Sequence, residues 1–150
     1  MSATQSERRG TPSETAQKQA ILDEALVCHV ATVDDDGRPV VLPNLHARIG
    51  DDLYLHGSSA SRNLRRVGQG ADVCVEVTLV DGIVLAHRVF NHSVNYRSVV
   101  VHGQARDVID DAEFDRALQL ITEHLLPGRY AEVREIGKQE HKATGVIALD

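Results

Sequence analysis

The sequence predicts a single domain, mainly β with flanking helices, in which six or seven antiparallel strands form a closed or nearly closed barrel. Three observations predict it. Apolar, β-branched runs of strand length recur along the chain, with Gly- and Asp-rich turn signals between them. Only two stretches carry helical periodicity over a substantial length. The chain has 150 residues, which fits one ordinary domain with a real core. Closure into a barrel disposes of strand edges that would otherwise lie open.

Residues 1 to 14 are polar, rich in Ser and Thr, and without periodicity, so a mobile tail is expected there. The domain then runs over 15–150. Ser13 has the character of an N-cap, and Ala20, Ile21, Ala25 and Leu26 recur at helical spacing, predicting a helix over about 14–26. Val27 to Val33 is a first strand. The turn Asp34-Asp35-Asp36-Gly37 returns the chain into a second, Pro39 to Ile49. A turn at Gly50-Asp51-Asp52 leads to a third, Leu53 to His56. Gly57 to Ala60 breaks the strand, and Ser61 opens a short helix over Arg62 to Gly68.

Val73 to Val80 is a fourth strand, with alternate valines on one face. Asp81-Gly82 reads as a turn into a fifth, Ile83 to Val89. Asn95 to Asp107 is a sixth, with Gly103 as a candidate bulge. Asp110-Asp111 opens a second long helix with an apolar stripe of Phe114, Ala117, Leu118, Ile121 and Leu125, ended by Pro127-Gly128. Thr144 to Leu149 is the last strand.

Composition narrows the function. The net charge of −6 argues against broad affinity for nucleic acid or an anionic membrane, although Arg62, Arg65 and Arg66 cluster locally. Cys28 and Cys74 lie inside apolar runs without CxxC spacing and read as buried free thiols. Residues 1–19 lack the apolar core of a signal peptide, and no run reaches transmembrane length, so a cytoplasmic location is expected. The eight histidines fall in no HxxxH or HExxH frame. No GxSxG elbow and no GxxxxGK[ST] loop is present.

Three features remain. The loop from His56 to Arg66 joins a strand to a helix start. Gly57 lets backbone approach a ligand, Ser58, Ser59 and Ser61 bring hydroxyls, and Arg62 brings a bidentate cation, which together suit a phosphate. An ordinary capped helix with solvated arginines explains the same residues equally well. His56, at the strand end, is the histidine placed nearest such a ligand. The run Asn95-Tyr96-Arg97-Ser98 reads as a polar barrel rim, or as a strand edge with snorkelling side chains.

At these residues the sequence resembles the pyridoxamine 5'-phosphate oxidase-like, flavin mononucleotide (FMN)-binding split-barrel superfamily, in particular its nitroimidazole-reductase-like branch. Ala31-Thr32-Val33 with Asp36-Gly37-Arg38-Pro39 resembles the first hairpin of that family. Leu42-Pro43-Asn44 resembles its flavin-side strand. Leu53-Tyr54-Leu55-His56 followed by Ser61-Arg62-Asn63-Leu64 resembles its phosphate loop. Tyr96-Arg97-Ser98-Val99 with Gly103 and Ala105-Arg106 resembles its later strand.

The resemblance implies a split β-barrel homodimer that holds FMN between subunits and acts as an oxidoreductase on a small organic substrate. Ser58, Ser61, Arg62 and Asn63 would hold the phosphate. The backbone around Val41, Leu42, Asn44 and Leu45 would line the isoalloxazine ring, with His56 near the cofactor. Tyr96, Arg97 and Ser98 would approach from the same or the partner subunit. The resemblance names no catalytic acid or base. Asn63 stands where many relatives have lysine, which implies weaker phosphate binding, and the sequence has no tryptophan where many relatives carry one in a terminal tail. Deazaflavin users, haem binders and non-catalytic flavin-binding modules in the same superfamily are the alternatives, and fold alone does not separate them.

Overall fold

The computed structural model describes residues 12–149. Six strands form a closed antiparallel barrel in the order β1-β2-β3-β6-β5-β4. They are β1 (Val27–Val33), β2 (Pro39–Ile49), β3 (Asp52–Ser58), β4 (Gln69–Val84), β5 (Ser93–Asp107) and β6 (Thr144–Leu149). Four helices accompany them: α1 (Pro12–Glu24), α2 (Arg62–Gly68), α3 (Asp111–Leu125) and α4 (Lys138–Ala143).

Most of the tail expected over 1–14 lies outside the described residues. Its last part is helical, because α1 opens at Pro12. Proline suits the first helical position, where its missing N–H costs nothing and its φ is already helical. Ser13 therefore sits within the helix rather than capping it.

The first turn forms as its residues predict. Asp34 Oδ1 accepts from the backbone N–H of Asp36 at 2.9 Å and of Arg38 at 2.8 Å, and Gly37 takes a φ of +78°. The Asp81-Gly82 turn does not form. β4 runs straight through it as one strand of 16 residues, with Asp81 as an extra residue between the Val80–Tyr96 and Gly82–Asn95 pairs. The expected fifth strand is therefore absorbed into β4 up to Val84, and the barrel has six strands. A second irregularity lies between Gln69 and Asp72, where Gly70 has a φ of +88°. Gly103, directly paired with Val73, is regular.

Two apolar cores follow from strand alternation. Cys28, Val30, Leu53, Leu55, Val75, Val77 and Ile147 point into the barrel, joined by Leu64 and Val67 of α2, Leu22 of α1 and Ala25 just after it. On the outer face of β2, β3 and β6, Ala47, Tyr54, Val146 and Ala148 meet Phe114, Ala117 and Ile121 of α3. Both cysteines are free, and burial pushes the Cys28 thiol up to about 12. No described helix is long and apolar enough to cross a membrane.

The outer face of the sheet formed by β2, β1, β4 and β5 is different. Val27, Val41, Val80, Val94, Tyr96 and Val100 are all exposed on it. Beyond β1 the β4–β5 ribbon continues as an arm whose tip carries Leu85, Val89 and Phe90, the last 96% exposed.

Candidate functional site

β3 ends at Ser58, and the loop to α2 is pinned by its own hydrogen bonds. Ser61 N donates to Ser58 O at 2.9 Å, and Ala60 N donates to Ser58 Oγ at 3.2 Å. Ser61 caps α2, its Oγ accepting from Leu64 N at 3.3 Å. Ser58 and Ser61 thus use their oxygens locally as acceptors and keep their hydroxyl protons to donate. Ser59 is committed elsewhere: its N–H bonds Ala143 O at 2.9 Å and its Oγ donates to Lys142 O at 2.8 Å, tying the loop to α4.

Between this loop and β2 lies a groove of about 210 Å³. Leu42, Pro43 and Asn44 form one wall; Gly57, Ser58, Ser61 and Asn63 form the other. Val30, Leu55 and Ile147 give it an apolar floor. An apolar floor with a few convergent polar groups is the usual make-up of a ligand site. The Oδ1 of Asn63 is buried without a hydrogen-bond partner among the described residues. Buried polar atoms are rarely left so, and a ligand donor would satisfy it. Arg62 lines a separate polar pocket of about 340 Å³, which it shares with Asn63, Arg66 and Asp34, Asp35 and Asp36 of the β1–β2 turn. It makes no ion pair or hydrogen bond with any described residue, whereas Arg66 is paired with Asp35 at 2.7 Å.

The structure therefore brings together Leu42, Asn44, His56, Ser58, Ser61 and Asn63 at the groove, while Arg62 meets Asn63 in the neighbouring pocket. Val41 and Leu45 are placed differently. Their side chains fall on the opposite face of β2, Val41 exposed and Leu45 packed on the α3 core. Only their backbone is on offer to the groove.

Tyr96, Arg97 and Ser98 are not brought to the groove within one chain. Tyr96 and Ser98 are exposed on the outer sheet face. Arg97 is held by two carboxylates: Asp81 accepts from its guanidinium at 2.8 and 2.9 Å, and Glu24 at 2.7 and 2.8 Å. Arg97 in turn holds both carboxyls below their usual range. Its role in this arrangement is to tie α1 to the β4–β5 ribbon.

His56 borders the groove and also a second cavity of about 600 Å³ behind it. That cavity is lined by Leu118, Ile121, Tyr130, Val133 and Ile136, between α3 and the segment that follows it. Alternation along β3 puts His56 on the face of Tyr54, toward α3, and burial lowers its imidazole pKa. No local sequence pattern points to this cavity, because its lining comes from β3, α3 and the segment after α3, far apart in the chain.

A closed six-stranded antiparallel barrel with flanking helices defines the split-barrel class of fold. The chain belongs to the pyridoxamine 5'-phosphate oxidase family, whose model matches residues 14–150. Among solved structures, it is 38% identical to the FAD and heme binding protein from Mycobacterium smegmatis, with a TM-score of 0.81, covering 93% of this chain and 66% of that one. It is 35% identical to the flavocytochrome Anf3 from Azotobacter vinelandii, with a TM-score of 0.80, covering 90% of this chain and 62% of that one. The chain thus spans less than two thirds of the length of either. A putative 5-nitroimidazole antibiotic resistance protein from Bacteroides thetaiotaomicron shares the fold at 22% identity and a TM-score of 0.73, covering 89% of this chain and 77% of that one. No curated protein matches the chain.

Proposed function

We propose that the chain binds a flavin carrying a 5'-phosphate, FMN being the smallest, and serves as an oxidoreductase on a small organic molecule. The observation that carries this reading is the polar end of the groove: the hydroxyls of Ser58 and Ser61 beside Asn63, which also lines the neighbouring pocket of Arg62, a guanidinium without a partner among the described residues. Arg62 would take the phosphate as a charge-assisted pair. The wall of Leu42, Pro43 and Asn44 would lie along the ring. The bound flavin supplies hydride or electron transfer, and the protein supplies position and electrostatics.

The reading includes a homodimer formed through the outer face that carries Val80, Tyr96 and Val100, since a contiguous apolar patch of this kind marks an association surface. Tyr96 and Ser98 would then meet the partner's groove. Arg62→Ala tests the phosphate assignment. FMN affinity should fall about tenfold or more, with riboflavin affinity unchanged. Equal retention of FMN by the variant contradicts it.

A second reading, haem binding, is favoured by the cavity behind His56. His56 has no hydrogen-bond partner among the described residues, and its lowered pKa keeps it neutral, the form that ligates iron. Two structural neighbours above 30% identity are an FAD and heme binding protein and a flavocytochrome.

A further inference from the structure

We propose that the cavity of about 600 Å³ behind His56 is a binding site for a hydrophobic organic cation, such as a protonated aryl-alkyl amine. The proposal does not depend on what the groove holds. A space of this size, walled mainly by apolar side chains, is of the kind that takes a small organic molecule. Leu118 and Ile121 of α3 form one wall, and Tyr130, Val133 and Ile136 of the segment after α3 form the other. These would enclose the apolar body of the ligand, and the Tyr130 ring is a surface that a cation favours.

The charge of the ligand follows from which lining groups are already matched. Four charged side chains line the cavity: Asp115, Arg134, Glu135 and Glu140. Arg134 is spent, its Nη1 donating to Glu140 Oε2 at 2.8 Å and its Nη2 to Glu140 Oε1 at 2.5 Å. Glu140 Oε2 also accepts from Gly137 N at 2.8 Å, which fixes this pair at the start of α4. Thr122 spends its hydroxyl on Leu118 O at 2.8 Å. The carboxylates of Asp115 and Glu135 have no hydrogen-bond or ion-pair partner among the described residues. Asp115, Leu118 and Thr122 stand at i, i+3 and i+7 on one face of α3, while Glu135 belongs to the facing segment. The uncommitted charge is therefore negative, and it comes from both walls. His56 is neutral at neutral pH, because burial lowers its pKa, so it adds no opposing charge and can accept a hydrogen bond from an ammonium group. An anionic occupant would meet the two carboxylates with no free cation to offset them. Haem, with its propionates, is such an occupant, so the two readings of the cavity are opposed in charge.

The test is isothermal titration calorimetry of the purified protein with three probes that share a ring system and differ in charge: 1-naphthylmethylamine, 1-naphthalenemethanol and 1-naphthoate. The amine should bind about fivefold or more tighter than the alcohol, and the naphthoate most weakly. Asp115→Asn with Glu135→Gln should remove the preference for the amine and leave the affinity for the alcohol within about twofold. Both positions are exposed and belong to neither core, so the double variant keeps the fold. Val133→Trp, at an exposed position on the wall, should fill the cavity and weaken the amine and the alcohol alike. Failure of the amine to bind overturns the proposal, as does equal affinity for amine and alcohol. So does amine binding that Val133→Trp leaves unchanged. Tightest binding of the naphthoate also overturns it and leaves the cavity to an anionic group such as haem.

Discussion

His46 and His124 lie against each other with ring centroids 5.3 Å apart, and each ties the end of α1 to the rest of the fold. His46 Nε2 bonds Leu22 O at 2.9 Å, and His124 Nε2 bonds Ala25 O at 2.8 Å. The carbonyls at a helix C-terminus lack intrahelical partners, so these two imidazoles, from β2 and α3, satisfy groups that burial would otherwise strand. His46 is 1% exposed and its Nδ1 has no partner among the described residues.

Acid should therefore weaken the fold. Burial lowers the pKa of His46 below its ordinary value of 6.5, and that of His56 likewise. The unfolded chain takes up these protons near pH 6.5, while the folded chain resists them, so stability is unaffected above about pH 6.5 and falls as pH drops below it. Urea unfolding at pH 7.5 and pH 5 should show a lower midpoint at pH 5. His46→Gln should narrow the difference between the two pH values. An unchanged difference in that variant contradicts the assignment.

Tyr54 links the core under α3 to a charged network. Its hydroxyl donates to Glu113 Oε1 at 2.8 Å, and Arg106 holds the same carboxylate at 2.7 Å. The Tyr54 hydroxyl is pushed up to about 12 by burial and by Glu113, and so stays a donor at neutral pH. Tyr54→Phe keeps the ring and removes only this bond. Urea unfolding should show a loss of about 1–2 kcal/mol.

Gly68 closes α2 against the barrel with no room for a side chain. A Cβ there would overlap the Asp107 carboxylate and come within 2.9 Å of Ile147 Cγ2. Gly68→Ala should cost about 1–3 kcal/mol by overpacking, read by the same unfolding assay. A neutral result would mean that α2 can lift away from β6, and the groove floor with it.

Most of the fold was legible in the sequence, for reasons particular residues make clear. Asp34 to Gly37 encodes its turn locally, through an Asp side chain that bonds its own backbone and a Gly at positive φ. Asp81-Gly82 has the same composition and forms no turn. There the residues on both sides pair with β5 from Val77 to Val84 across a bulge at Asp81, and tertiary pairing overrides the local signal. The site was half legible. The residues of the 58–63 loop are close in sequence, and Ser58, Ser61 and Asn63 meet at the groove, with Arg62 in the pocket beside it. The Arg97 clamp joins residues up to 73 apart in sequence, and the cavity behind His56 joins β3 to the segment after α3. No local pattern predicts either.

The exposed sheet face gives a separate test of association. Val80→Glu with Val100→Glu places charge on the outer face without touching either core. Sedimentation equilibrium should show the wild type as a dimer and the double variant as a monomer. A wild-type monomer would leave Tyr96 and Ser98 without a groove to approach.

Haem binding makes its own prediction. Added hemin should give a Soret band that shifts on binding, and His56→Ala should abolish the shift while sparing flavin binding at the 58–63 loop. Loss of both together would mean that His56 acts on the groove rather than on the cavity.

The most direct measurement is the visible absorption spectrum of the freshly purified protein, followed by chromatography of what heat denaturation releases. The account predicts a yellow protein that releases a flavin with a 5'-phosphate. A colourless protein that stays colourless after incubation with FMN and with flavin adenine dinucleotide, or one that releases a deazaflavin, would contradict it.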